Sequence, residues 1–257
     1  MTDPVALMDD RITSGDLRLA AHLAVPARGG DAHGVVLCHG FPVRGRESPA
    51  SGKSFPELAD RVAAQIGWTA LTFNYRGCGT SDGDFSLGGW LDDIGAAATH
   101  LSSLGVRSVW LVGSGTGGAL CITYAAEHRE IAGVAALAAP ADFDDWSRNP
   151  RRLVELGRDV GVISTPGFPT DFDTWSAELT ALGADAHVSA LADRPLLLLH
   201  GDADDLVPDL DTRALADDHG GADMRIIGGA GHELRHDPRA VAILLGWLSR
   251  QERPAPQ

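Results

Sequence analysis

A chain of 257 residues that is 44% hydrophobic and 22% charged has the balance of a globular protein and the length for one substantial core. Its formal net charge of −14 and scattered basic residues argue against a nucleic-acid partner, because gripping phosphates takes clustered Lys and Arg. No apolar run reaches the roughly 18 residues of a membrane span, and the start MTDPVALMDDR lacks the basic and apolar parts of a secretory signal, so a cytoplasmic protein is expected.

The segment through Val25 has hairpin character around Ser14-Gly15, which predicts an antiparallel edge with a strand over Leu17–Val25. Apolar runs then predict strands at Gly34–His39, Trp68–Tyr75, Ser108–Gly113, Ile131–Ala138, Pro195–His200 and Met224–Ile227. Several are almost wholly apolar, as strands covered by helices on both faces are. Helical patterns fall between them, near Phe55–Ile66, Gly89–Leu104, Gly118–His128, Thr212–Asp218 and Pro238–Arg250. Ser54 stands three residues before Glu57, with Pro56 in the first turn, and reads as a capping box for the first helix. This alternation implies a single α/β domain over residues 1–257 with a mainly parallel sheet.

Two stretches break the rhythm. Pro42–Lys53 is polar and rich in Gly, Ser and Pro, so a loop is expected. Asp142–Leu191 runs about fifty residues without a clear strand, too long for a structureless loop in a compact domain. It reads as a small, partly helical, cap-like insertion over the strand ends, with Trp146 and Trp175 either lining a pocket or filling core. Arg148, Arg151, Arg152 and Arg158 form the densest basic cluster and read as a solvated helix face, and the tail Arg253–Gln257 as frayed. The odd number of cysteines predicts reduced thiols: Cys38 and Cys121 lie in apolar runs, whereas Cys78 lies in a turn and is the candidate for reactivity. No Cys or His spacing points to a metal, and no cofactor is expected.

The glycine-rich turn Gly113-Ser114-Gly115-Thr116-Gly117-Gly118, between a strand and a helix, has two meanings. Gly113, Gly115 and Gly118 match the dinucleotide fingerprint G-x-G-x-x-G. Gly113 and Gly117 also match the nucleophile elbow G-x-S-x-G, with Gly115 at its centre. Ser114 cannot serve in a shifted frame, which would need glycine at Val112 and Thr116. Each match alone is weak.

Four further motifs close strands in order: His39-Gly40-Phe41-Pro42, then Arg76-Gly77-Cys78-Gly79-Thr80-Ser81-Asp82-Gly83, then His200-Gly201-Asp202-Ala203-Asp204-Asp205, then Gly229-Ala230-Gly231-His232. With them the chain resembles the α/β-hydrolase superfamily from about residue 17 to 250, and within it small bacterial members carrying an RGxGxSxG turn. A dinucleotide domain would leave all four motifs unexplained, so that reading is minor. The resemblance implies His232 as general base, Asp204 as the acid that orients it, and the backbone N–H groups of Phe41 and Thr116 as oxyanion donors. It implies a small acyl- or ester-like ligand. Asp202 and Asp205 compete with Asp204, and His236 weakly with His232. His39 and His200 read as structural, and Tyr75 and Arg76 as braces for loops.

Gly115 then stands where the superfamily places its nucleophilic serine. Without an oxygen there, His232 has no hydroxyl to deprotonate and no acyl-enzyme forms. Three readings stay open: a degenerate hydrolase that binds a ligand, an enzyme working through His232 and Asp204 alone, or a Gly-for-Ser variant of an ordinary esterase-like protein.

Overall fold

In a computed structural model, residues 6–27, 33–42 and 54–251 are described. Among the described residues there are eight strands: β1 (Ala6–Ser14), β2 (Leu17–Val25), β3 (Gly34–Cys38), β4 (Thr69–Phe73), β5 (Val109–Ser114), β6 (Ile131–Leu137), β7 (Leu196–Gly201) and β8 (Asp223–Ile227). They form one sheet in the order β1-β2-β4-β3-β5-β6-β7-β8. The β1–β2 and β2–β4 pairs are antiparallel and the other five parallel. The antiparallel edge is the hairpin expected from Ser14-Gly15: Ser14 pairs with Leu17, and Gly15 turns the chain at φ 57°.

Alternation along the buried strands divides their side chains between two cores, because successive residues point to opposite faces. Val36, Cys38, Leu111, Leu196 and Leu198 enter one core, and Val35, Leu37, Trp110, Val112, Leu197 and Leu199 the other. The second core is closed by α1 (Ser54–Ile66) and α8 (Pro238–Arg250), and the first by α2 (Leu87–Ser103) and α3 (Thr116–Glu127). Trp68, Trp110 and Trp247 pack together in the second, with ring centroids 5.6 Å apart in both pairs.

Helix starts are where the pattern reading slips. It opens α2 at Gly89, but Ser86 caps the helix by accepting from the Gly89 N–H at 3.0 Å, so the helix begins at Leu87. Helix α7 (Asp209–His219) likewise begins at Asp209, three residues before the expected Thr212, directly after Pro208, and stops at Gly220 in the left-handed region. The start of α3 moves from Gly118 to Thr116. The Ser54 side chain of the proposed capping box, nearly all of the Pro42–Lys53 loop, and the Arg253–Gln257 tail lie outside the described residues.

Between β6 and β7 the chain forms α4 (Asp144–Ser147), α5 (Pro150–Asp159), α6 (Phe172–Ala181) and a 3-10 turn at Val188–Leu191. Asn149 caps α5 and Asp171 caps α6, each accepting a backbone N–H three residues on. Leu153, Val154, Trp175, Leu179, Val188 and Leu191 are buried in the first core, so this segment is continuous with the main domain. Arg148, Arg151, Arg152 and Arg158 are exposed, as expected.

Candidate active site

The site is assembled at the carboxyl ends of β3, β5, β7 and β8, where parallel α/β sheets place their ligands. At the end of β3, the buried His39 holds the loop. Its Nδ1–H donates to Gly40 O at 2.8 Å and its Nε2 accepts from the Tyr75 N–H at 3.3 Å. Both contacts need a neutral ring, and burial, reinforced by nearby Arg235, lowers the pKa to about 4 against the pull of Gly40 O. His39 is thus structural, as expected, and it sets the path of Gly40 and Phe41.

Beside it, β5 runs into α3 through Gly115, at φ 53° and ψ −129°. The flanking glycines are required by close packing. A Cβ on Gly113 would stand 2.3 Å from Gly117 O, and one on Gly117 would stand 2.2 Å from His39 O. Helix α3 therefore presses directly on the end of β3, and these glycines need no bound phosphate to explain them. Thr116 opens α3, so its N–H lies in the first turn, where no intrahelical acceptor exists.

After β7, Asp204 is folded into its own loop. Its Oδ1 accepts from the N–H groups of Leu206 (2.9 Å) and Val207 (3.0 Å), while its Oδ2 lies 2.9 Å from His232 Nδ1. The carboxylate side chain is 1% exposed. Burial favours its neutral form, but His200, His232 and the two amides outweigh burial and hold its pKa well below the usual carboxylate range. His200, wholly buried, lies 3.3 Å from Asp204 Oδ2, donates to Val207 O at 2.9 Å, and meets Thr212 Oγ1 at 2.6 Å. Sequence reasoning read His200 as a backbone brace and missed its contact with the acid; its position four residues before Asp204 was the available signal.

The competitors fall elsewhere. Asp202 accepts from the Gly229 N–H at 2.6 Å, Asp205 is exposed, and His236 sits in a 3-10 turn at Leu234–His236. Arg76 is a brace as expected, with its guanidinium and its N–H on the fully buried Asp93 at 2.8 Å. Cys78 is a correction: it is 1% exposed, and burial, with Asp93 nearby, pushes its thiol far above the ordinary range. The turn that carries it is tucked under the cap-side segment, where Phe85 N–H donates to Val162 O. Position in a turn had suggested exposure that packing removes.

A cavity of about 590 Å³ opens over Gly115 and His232. Phe41, Phe143, Trp146, Leu156, Leu206 and Val207 give it apolar walls. Phe41 packs against Phe85 and Trp146, with centroids 4.9 and 5.2 Å away. Of the two cap-side tryptophans, Trp146 thus faces the pocket, and Trp175 is core, donating its ring N–H to Phe85 O at 3.1 Å. Asp142, Asp144, Asp145 and Asp211 also line the cavity, with Arg148 paired to Asp144 and Asp145 at 3.4 Å. Among the described residues no group of three His, Cys, Asp or Glu is placed to hold a metal ion, and no helix is long and apolar enough to cross a membrane.

This mostly parallel sheet, with helices on both faces and a pocket at its strand ends, is an α/β-hydrolase fold. The model of the alpha/beta hydrolase fold family matches residues 35–182, and the chain belongs to that family. Among solved structures, Est1E from Butyrivibrio proteoclasticus with ferulic acid bound is similar at a TM-score of 0.72 and 19% identity, covering 95% of this chain and 97% of that one. The Pyrococcus furiosus esterase Pf2001 is similar at 0.69 and 18% identity, over 96% and 93%. A meta-cleavage product hydrolase from Pseudomonas fluorescens IP01, complexed with acetates, is similar at 0.66 and 18% identity, over 94% and 98%. At these identities the likeness is one of fold. No curated protein sequence gives a significant match.

Proposed function

We propose that this protein binds a small acyl- or ester-like ligand in the cavity over Gly115, and that the serine route through an acyl-enzyme is closed to it. The observation that carries this is the geometry at Gly115: a Cβ there would lie 3.3 Å from His232 Nε2. A hydroxyl one bond further out would be within hydrogen-bond reach of that nitrogen, so Gly115 occupies the nucleophile's place and leaves the base without its partner. His232 and Asp204 retain the base–acid arrangement. The backbone N–H groups of Phe41 and Thr116 serve as oxyanion donors for the ligand's carbonyl, a role independent of side chain. Asp142–Leu191 acts as a cap whose Phe143, Trp146 and Leu156 shape the acyl end of the pocket. The ferulic acid of the Est1E structure and the acetates of the meta-cleavage product hydrolase are carboxylic acids, which supports an acyl-like ligand class.

The test compares wild type with Gly115→Ser in fluorophosphonate labelling. Wild type stays unlabelled, and Gly115→Ser is labelled at the introduced hydroxyl. A folded Gly115→Ser that resists labelling, or a wild type labelled on a pocket serine, would overturn the assignment. Ligand binding is read with benzyl methyl ketone, the ketone counterpart of phenyl acetate, which quenches Trp146 fluorescence in wild type and not in Trp146→Phe.

A further inference from the structure

We infer that the pocket hydrolyses activated esters in a single displacement, with a water molecule at the place of the absent serine hydroxyl and His232 as its base. This rests on the reading of Gly115 and His232 above and adds a reaction to it.

The proton inventory comes first. Asp204 accepts through both oxygens: two backbone amides meet Oδ1, and His232 Nδ1 and His200 Nε2 meet Oδ2. A carboxylate so surrounded is an acceptor, so His232 Nδ1 carries the hydrogen between them. The tautomer this selects leaves a lone pair on Nε2, the ring atom that faces Gly115. With the hydrogen on Nδ1, a free Nε2 aimed at a reaction space is placed to act as a general base.

The space in front of it is defined by glycine. The Cβ position at Gly115 is bounded by His232 Nε2 at 3.3 Å, His232 Cε1 at 3.6 Å and Gly40 Cα at 3.8 Å, and the pocket lies beyond. A hydroxymethyl group that would fill this corner is close in size to a water molecule, which occupies about 30 Å³ in the liquid. Gly40 contributes by having no side chain: a Cβ there would come within 3.0 Å of Ser114 O and 3.6 Å of Gly115 Cα. Two glycines therefore frame a water-sized corner against the base, next to where the Phe41 and Thr116 amides hold a carbonyl oxygen.

The step balances without any further reagent. Water oxygen forms a bond to the ester carbonyl carbon as its proton passes to His232 Nε2. The carbonyl π electrons move to the oxygen held by the Phe41 and Thr116 N–H groups. Collapse re-forms the carbonyl and breaks the bond to the leaving oxygen, which takes the proton back from His232. One ester and one water become one acid and one alcohol, and no bond to the protein is made.

The experiment uses p-nitrophenyl acetate, butyrate and octanoate with the full chain, wild type and His232→Gln, alongside Gly115→Ser. Wild type is expected to release nitrophenol linearly, with no burst and no acyl mass on the protein, while His232→Gln lowers kcat at least about 100-fold and still binds benzyl methyl ketone. Gly115→Ser is expected to show a burst and an acyl adduct at the introduced hydroxyl. Wild-type turnover no faster than His232→Gln, with ketone binding intact, would overturn this inference and leave the ligand-binding reading standing. A burst or adduct in wild type would overturn it as well. Loss of ketone binding in wild type would overturn both.

Discussion

At Gly115 the backbone stands at φ 53°, a region that costs a side-chain-bearing residue about 1–2 kcal/mol and glycine almost nothing. A methyl group there would also meet His232 Nε2 at 3.3 Å, so the imidazole must give way by a few tenths of an ångström. Gly115→Ala is therefore expected to lower stability by about 1–2 kcal/mol, a fall in Tm of roughly 2–8 °C for a domain of this size. Calorimetry reads this directly, and a Tm equal to or above wild type would refute the strained-elbow account. The strain argument was available from the motif alone, because a nucleophile elbow is a sharp turn wherever it occurs. The distance to His232 was not, because the two residues are brought together only by β5 and β8 lying on the same side of the sheet's carboxyl edge.

Element by element, α2 is anchored to the turn after β4 by a buried pair. Arg76 donates to Asp93 from its Nε, its Nη2 and its backbone N–H, and Trp90 Nε1 donates back to Arg76 O at 3.2 Å. Asp93 is fully buried, so removing it leaves a guanidinium that is only 17% exposed with just Ser14 Oγ at 3.2 Å and the exposed Asp92 at 3.7 Å from its Nη2. Asp93→Ala should cost about 3–5 kcal/mol, whereas Arg76→Met with Asp93→Leu should recover most of the loss. Urea unfolding of the three proteins decides it: a double variant no better than the single would mean that the pair is not what ties α2 down. The sequence placed α2 within two residues and read Arg76 as a brace, but it named no partner. Asp93 is four residues past Gly89 on a helix, and nothing in a linear pattern says which of two adjacent aspartates, Asp92 or Asp93, turns inward. Burial decides that, and Asp92 stays exposed.

For the molecule as a whole, buried histidines and Asp204 contribute to the response to acid. His39 has its pKa lowered to about 4, so its contribution to stability is fully present above the unfolded value of about 6.5 and is lost as pH falls toward 4. The loss comes to about 2–3 kcal/mol between about pH 7 and about pH 4.5. His200 works the other way. Burial opposes its charge, but Asp204 and Val207 O raise its pKa, so its contribution holds below about pH 6.5 and fades as pH rises through the folded value. Asp204, with its pKa held low, supports the fold until pH drops below the ordinary carboxylate range, and its contribution then falls away. Denaturant unfolding at the two pH values should show the acid loss in wild type and a shallower one in His39→Gln. Equal slopes would assign the acid sensitivity to other groups.

What the sequence by itself determined was the order of strands and helices, the antiparallel edge, and five motifs each closing a strand. Those follow from local chemistry: apolar runs, glycine turns and caps act over a few residues and leave a readable trace. Which residues meet was decided by the tertiary structure. The sheet order, running β1-β2-β4-β3-β5-β6-β7-β8, brings the ends of β3, β5, β7 and β8 to one edge. That arrangement sets His232 on Asp204, while packing of the cap-side segment buries Cys78 and leaves Trp146 on the pocket as Trp175 goes to the core. His232 and Asp204 are 28 residues apart in the chain, and contact at that range depends on how the strands are ordered in the sheet, which no local signal records.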